Sequence, residues 1–220
     1  VYNHIGPEIA VASTKAYISQ MVILALLTVF LGQQRGMKKY QTKEILTGID
    51  KLKNQLDFIF KQEEKIKKIA RKYKKFDNIL YLGRKYNYPS ALEGALKLKE
   101  ISYLHAEGYP TGEMKHGPIA MICPDFPSFV IGPQDSVYEK NLGGIEEIKA
   151  RNGKIIAIAT QSDNKISEIV DDIIYIPKSI EMLIPILAAI PLHLFAYYIG
   201  IELGNDVDKP RNLAKSVTVE

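Results

Sequence analysis

Between residues 78 and 203 the sequence alternates short apolar runs with longer segments of helical periodicity. Runs such as NILYLG and KIIAIAT are short, apolar and bounded by polar residues or glycine, which predicts buried strands. Because parallel strands need a crossover connection, strands separated by helices predict an α/β fold with a parallel sheet between helices. The predicted strands are 78–83, 128–132, 154–160 and 173–176, and the predicted helices are 89–104, 137–151 and 182–203.

A helical region precedes this alternation. Ser13 suits an N-cap and Gly32 a stop, which predicts a helix over 13–32. Because residues 21–31 are almost entirely apolar, we expect this helix to be deeply buried. Apolar residues recur at steps of three and four over 43–75, which predicts a pair of amphipathic helices.

Positive charge is concentrated in residues 35–77, which hold 14 Lys/Arg and six Asp/Glu, whereas the whole chain has a net charge of only +4. A basic stretch is one sign of nucleic-acid binding. Here the lysines alternate with apolar helical positions, and no recognised nucleic-acid motif accompanies them. They are therefore interpreted as the solvated faces of helices, and we expect no nucleic-acid partner.

Residues 183–201 carry no formal charge over 19 residues, a length that could span a bilayer. Pro191, His193 and two tyrosines interrupt this segment. Soluble proteins also bury such helices in cores and subunit interfaces, so we expect a core or dimer-interface helix and no membrane partner.

The chain has one cysteine, Cys123. A lone thiol excludes an internal disulfide and a multi-cysteine metal site, and it agrees with a cytoplasmic location. The chain opens at Val1, without an initiator Met or a signal-peptide pattern. We therefore expect a piece of a longer protein.

Three ionisable residues share one face of the predicted helix 89–104. Glu93, Lys97 and Glu100 stand at steps of four and three. One interpretation is a surface ladder of ion pairs, which would contribute little. The other is a carboxylate base, in which Lys97 would hold Glu100 ionised and ready to take a proton.

Two further residues stand in segments that are typical of function. His116 lies in 106–118, which is rich in glycine and proline and predicts a structured loop; it is either a surface histidine or a ligand-binding one. Lys215 lies in the tail DVDKPRNLAKSVTVE, either as a solvated lysine or as an amine that forms a Schiff base with a carbonyl substrate. The other histidines have no partners at metal-ligand spacing, so we expect no metal site.

Phosphate binding has the weakest signal. A strand, Gly83, a loop and a helix follow one another, which is the arrangement that can place a helix N-terminus beside an anion. Residues 84–90 nevertheless lack a glycine-rich or serine-rich cradle, and neither a Walker A nor a GxGxxG pattern is present.

Three segments together resemble one family, the glutamine–fructose-6-phosphate aminotransferases (glucosamine-6-phosphate synthases). They are PEIAVASTKAY at 7–17, ALEGALKLKEISYLHAEGYPTGEMKHGP at 91–118 and DVDKPRNLAKSVTVE at 206–220. The resemblance implies the C-terminal part of an isomerase region built from two sugar-isomerase (SIS) domains, each a three-layer parallel sheet flanked by helices. Residues 1–37 would end the first SIS domain, 38–69 would be a helical linker, 70–205 the second SIS domain and 206–220 a catalytic tail.

The same resemblance implies an activity and its catalytic residues. The family makes glucosamine 6-phosphate from fructose 6-phosphate and ammonia released from glutamine, with no metal or organic cofactor. Lys215 is similar to the lysine that forms the imine, Glu100 to the base that moves a proton between C1 and C2, and His116 to a histidine linked to ring opening and supplied across a dimer interface.

Supporting residues carry over in the same way. Glu93 and Lys97 are similar to residues that support the base, and Val11, Ser13 and Ala214 to residues that line the sugar. The resemblance also implies a homodimer.

The sequence departs from the family pattern in two respects. The glutaminase domain and the serine-rich phosphate loop of the first SIS domain are absent, so we expect little activity from this chain alone. Two alternatives stay open: a non-catalytic sugar-phosphate-binding SIS domain, and a related sugar-amine deglycase.

Overall fold

The computed structural model describes residues 2–215. Five strands are flanked by helices along this part of the chain. The strands are β1 (Asn78–Gly83), β2 (His105–Pro110), β3 (Ser128–Ile131), β4 (Ile155–Thr160) and β5 (Asp172–Ile176). The α-helices are α1 (Lys15–Gln34), α2 (Lys39–Phe60), α3 (Glu63–Tyr73), α4 (Asn87–Ser102), α5 (Tyr138–Lys149), α6 (Asn164–Ile169) and α7 (Ile184–Glu202).

The five strands form one parallel sheet in the order β2-β1-β3-β4-β5. The chain leaves β1 toward β2 on one side and resumes at β3 on the other side. The predicted α/β class with a parallel sheet between helices is thus confirmed, and the four predicted strands are β1, β3, β4 and β5.

Alternate residues of β1 show why the fold has three layers. Ile79 and Tyr81 belong to the larger apolar core, which includes residues of α3, α4 and α7. Leu80 and Leu82 point to the opposite face and pack in a second core with residues of α5. Because successive strand residues face opposite sides, a strand that is apolar throughout is buried on both faces.

The expectation of a loop over 106–118 was wrong in its first half, because His105–Pro110 is the edge strand β2. The glycine there reflects close packing: a Cβ on Gly108 would lie 2.7 Å from the Cα of Leu92 in α4. An edge strand tolerates Gly108 and the terminal Pro110, since its outer side needs no ladder partner. Residues Thr111–His116 then form a 3-10 helix.

The short helix α6 was not predicted from the sequence. The Asp163 side chain caps it by accepting a hydrogen bond from the Ile166 N–H at 3.2 Å. Six residues are too few for the apolar periodicity that identifies longer helices.

The expectation that the first helix is deeply buried was also wrong. Helix α1 buries only Ala25 and Val29, whereas Leu24 and Phe30 are each 59% exposed. The helix packs mainly on α2 and α7, and its outer apolar side chains have no cover within residues 2–215.

Within residues 2–215, two helices are apolar and long enough to cross a membrane by length and composition, Lys15–Gln34 and Glu181–Glu202. The second is mostly buried, as expected for a core helix: Leu187, Leu192 and Phe195 of α7 are fully enclosed. It packs between α3 and α4, which places its single histidine next to the ionisable face of α4.

Candidate functional site

Helix α4 carries the three ionisable residues into the interior. Glu93 is 9% exposed and Lys97 only 3%, because α4 packs its polar face against α7. The Lys97 ammonium forms an ion pair with Glu100 and lies 4.0 Å from Oε1 of Glu93. The interpretation as a surface ladder therefore fails for Glu93 and Lys97. Glu100 is at the open end, with 22% of its side chain exposed.

A fourth residue joins this group, and the sequence analysis missed it. Nε2 of His193 in α7 lies 2.8 Å from Oε1 of Glu93, and both side chains are buried. The signal available in the sequence was a histidine in an otherwise apolar segment, since a buried polar ring needs a partner. Its partner lies 100 residues away, so spacing alone could not identify it.

The N-terminal segment (residues 7–14) and the described part of the tail (residues 206–215) lie against each other. The Val11 N–H donates a hydrogen bond to the Asp208 carbonyl at 3.0 Å. Lys215 reaches the same segment: its ammonium donates to the Ala10 carbonyl at 2.8 Å and approaches the Val11 carbonyl at 3.4 Å. The last five residues of the predicted 206–220 tail lie outside the described residues.

Glu8 is a second residue that the sequence analysis missed. Its Oε1 accepts hydrogen bonds from the N–H groups of Thr14 at 2.6 Å and Ala16 at 3.3 Å, at the start of α1. Its Oε2 lies 4.0 Å from Nζ of Lys215. Burial acts to raise the pKa of Glu8, but these hydrogen bonds, one from Ser13 and the charge of Lys215 outweigh burial and lower the pKa.

The tail also folds over the C-terminal end of α4. The Arg211 N–H donates to the Tyr103 hydroxyl at 2.8 Å, and the Arg211 guanidinium lies 4.2 Å from the centre of the Tyr103 ring. Tyr103 adopts a left-handed backbone with φ of 65°, which ends α4 and turns the ring outward. Glu100 opens into the resulting groove of about 310 Å³, beside Arg211, Asn212 and Leu213.

A smaller cavity of about 220 Å³ connects the parts of the site. Ala10 and Ala12 of the N-terminal segment, Lys97 of α4, His193 of α7 and Asp208 of the tail all line it. The fold therefore brings the buried ionisable residues of α4 and the two polar segments that hold Lys215 to one region.

The remaining predicted residues differ in whether they belong to this region. Val11 and Ser13 belong to the N-terminal segment and are partly exposed, and Ala214 is exposed next to Lys215. His116 does not join the group: its side chain is 72% exposed, and the contact found for it is with Glu113 at 3.9 Å. Residues 2–215 contain no cluster of three or more His, Cys, Asp or Glu side chains arranged to hold a metal ion.

Comparison with known proteins gives three findings. The SIS domain family model matches residues 72–202. The chain is 49% identical over its full length to glutamine–fructose-6-phosphate aminotransferase (isomerizing) of Chlorobaculum tepidum and 48% identical to that of Thermus thermophilus. It spans 36–37% of the length of these curated relatives.

Solved structures agree with this grouping. The C-terminal domain of glucosamine-fructose-6-phosphate aminotransferase from Francisella tularensis superimposes with a TM-score of 0.87 and 34% identity, over 93% of this chain and 58% of that one. The structure of glucosamine-6-phosphate deaminase from Thermotoga maritima gives a TM-score of 0.64 at 22% identity, over 96% of this chain and 59% of that one, which indicates a shared fold alone.

Proposed function

Because the chain belongs to the SIS domain family, we propose that it is the C-terminal isomerase portion of a glutamine–fructose-6-phosphate aminotransferase. The complete protein would convert fructose 6-phosphate and glutamine-derived ammonia to glucosamine 6-phosphate. One observation carries the proposal: the described part of the tail lines the groove of Glu100 with Arg211 and continues to Lys215, which is held on the N-terminal segment. The tail therefore links the two groups that this chemistry requires: it lines the groove of the Glu100 carboxylate and carries the Lys215 amine.

Lys215 supplies the nucleophile in the proposed reaction. Its neutral amine adds to the C2 carbonyl of the open-chain ketose, and loss of water leaves an iminium. Ammonia then adds at C2 and Lys215 departs as the amine, so that the nitrogen retained on the sugar comes from ammonia. The Glu8 carboxylate, 4.0 Å away, helps to hold the Lys215 side chain on the N-terminal segment, and the half-exposed ammonium loses its proton to solvent.

Glu100 moves the proton. The positive nitrogen at C2 acidifies the C1 proton, which the Glu100 carboxylate removes and then returns to C2. This transfer reduces C2 and oxidises C1, which gives the amino aldose without an external oxidant. Lys97 holds the Glu100 carboxylate in place through their ion pair. In this proposal Glu93 and Lys97 support the base, and Val11, Ser13 and Ala214 line the sugar.

The proposal also gives each segment of this chain a place in the complete protein. Residues 1–37 would complete a first SIS domain, 38–69 would link it to the second domain at 70–205, and 206–220 would be the catalytic tail. The exposed apolar face of α1, which includes Leu24 and Phe30, would pack against the rest of the first domain. His116, exposed here, would act in ring opening at the site of a partner subunit in a cytoplasmic homodimer.

Hydrogen exchange at C1 tests this function. Fructose 6-phosphate in D₂O is incubated for hours with the chain in stoichiometric amount, and loss of the C1 proton signal is followed by NMR. We expect stereospecific exchange that is abolished in Glu100→Gln and retained in Glu107→Gln, an exposed control in β2. Because the family's phosphate loop lies outside this chain, we expect a rate far below that of ordinary enzymes.

Two outcomes would overturn parts of this proposal. Sugar binding without any exchange would indicate a non-catalytic sugar-phosphate-binding domain. Exchange that persists in Glu100→Gln would remove Glu100 as the base.

A further inference from the structure

Four side chains form a continuous polar path from the core to the groove beside the tail. His193 contacts Glu93 at 2.8 Å, Glu93 lies 4.0 Å from Lys97, and Lys97 is paired with Glu100. The first three are buried, and Glu100 is the most exposed of the four. The path therefore begins with a histidine to which neither the family comparison nor the sequence pattern assigns a role.

The surroundings of His193 are mainly apolar. Its ring meets Tyr17 edge-on, with ring centres 5.8 Å apart. Burial first, and then the negative charge of Glu93, raise the pKa of the Tyr17 phenol, so Tyr17 stays neutral. Ile190 and Leu194, in neighbouring turns of α7, line an apolar groove with the ring. A leucine would suit this position by packing alone, so the polar ring requires an explanation.

The charges along the path supply one. A single ammonium, Lys97, stands between the two carboxylates Glu93 and Glu100. Among the described residues, His193 is the hydrogen-bond partner found for the Glu93 carboxylate. Without it, the buried Glu93 would have only Lys97 to offset its desolvation, and a buried carboxylate left without a hydrogen bond is costly. Lys97 would then be drawn toward Glu93 and away from Glu100.

We propose that His193 is a positioning residue: its hydrogen bond to Glu93 leaves Lys97 free to hold Glu100 in place as the base. This inference rests on the proposed role of Glu100 in proton transfer. In this inference His193 acts through Glu93 and Lys97 rather than directly on the sugar. Its effect is confined to the geometry of Lys97 and Glu100, and therefore to the proton-transfer step rather than to imine formation.

The variants that test the proposal are His193→Leu, which removes the polar partner, and His193→Gln, whose amide can donate to Glu93. The double variant His193→Leu/Glu93→Gln removes the competing carboxylate together with the histidine. His105→Gln, at the exposed start of β2, is the matched control.

The first measurement needs no sugar. NMR of the Lys97 ammonium and the Glu100 carboxyl group reports their ion pair directly. We expect both signals to shift in His193→Leu, to stay at the wild-type positions in His193→Gln, and to return toward them in the double variant. A loss of packing alone would not be reversed by Glu93→Gln, so failure of that reversal would overturn the proposal.

The second measurement separates imine formation from proton transfer. We expect His193→Leu to lower C1 exchange about 10- to 100-fold, the size of effect that a small misplacement of a catalytic group produces. Borohydride trapping of fructose 6-phosphate on Lys215 should stay within about twofold of wild type, and His193→Gln should restore the exchange. Equal exchange in His193→Leu and wild type would contradict the inference, and so would equal losses of trapping and exchange.

The two failures are distinguishable. If the wild-type chain neither traps nor exchanges the sugar, the proposed function fails while the NMR comparison still decides whether His193 controls the Lys97–Glu100 pair.

Discussion

The Lys215 ammonium donates a hydrogen bond to the Ala10 carbonyl at 2.8 Å, which joins residues 205 positions apart in the chain. The same ammonium is 4.0 Å from the Glu8 carboxylate, whose other oxygen receives the first N–H groups of α1. The described part of the tail is therefore fixed at its end by the segment that begins α1. This contact places the proposed nucleophile relative to the rest of the site.

Replacing Lys97 tests how the buried charges depend on one another. Lys97→Met leaves Glu93 and Glu100 without their shared ammonium, and we expect a loss of about 3 kcal/mol in the free energy of unfolding, measured with urea. Glu100→Gln is the matched variant at the more exposed end and should cost less than about 1 kcal/mol, because Lys97 retains Glu93. Equal losses in the two variants would show that Lys97 is not balancing two carboxylates.

A second prediction concerns the pH dependence of stability. Hydrogen bonds from Arg71 and Lys74 at the end of α3 lower the pKa of Glu202 to about 2, against an unperturbed value of 4.5. A lowered pKa stabilises the fold at pH values above the unperturbed one, and this contribution is lost as the pH falls from about 4.5 to 2.

Urea unfolding of wild type and Glu202→Gln at several pH values measures this effect. The free energy of unfolding of wild type should exceed that of the variant by the full amount at pH 7. The difference between them should shrink as the pH falls below about 4.5. Glu64→Gln is the control, because Glu64 is highly exposed and its ion pair with Lys67 is long, at 3.9 Å. A Glu202 difference that stays constant down to pH 3 would argue against the ion pairs with α3.

The exposed face of α1 gives a third prediction. Leu24→Ser and Phe30→Ser should each change the free energy of unfolding by no more than about 0.5 kcal/mol, because both side chains are exposed. Val29→Ala, on the buried side of the same helix, should cost about 1 kcal/mol or more. Sedimentation should also show that the double serine variant self-associates less than wild type. Serine variants as destabilising as Val29→Ala would mean that this face is covered.

The parallel sheet could be predicted because its inner strands are apolar on both faces. The stretches Ile155–Thr160 and Ser128–Ile131 are buried throughout, and such short, wholly buried apolar runs are typical of inner strands. The edge strand β2 escaped prediction because Gly108 and Pro110, read as loop residues, are there to admit α4 and to end the strand. Local sequence does not distinguish a glycine that forms a loop from a glycine that lets a helix pack closely on a strand.

Prediction of the site depended on which contacts are local. The spacing of Glu93, Lys97 and Glu100 placed them on one helical face, but it could not reveal that α7 would bury two of them. His193 meets Glu93, and Glu8 meets Lys215, only because the tertiary structure brings distant parts of the chain together. The burial of α1 was overestimated from its apolar composition. Such a composition indicates that the helix packs against other residues, but it does not show that those residues belong to the same stretch of chain.

Trapping of the imine tests the central claim most directly. The chain is incubated with excess fructose 6-phosphate, reduced with borohydride and digested, and the adducts are mapped by peptide mass spectrometry. The account predicts one dominant adduct on Lys215, lost in Lys215→Arg and retained in Lys209→Arg, a control on the same tail. Adducts spread over many lysines, with Lys215 no more modified than Lys209, would contradict it, and so would a folded chain that forms no adduct.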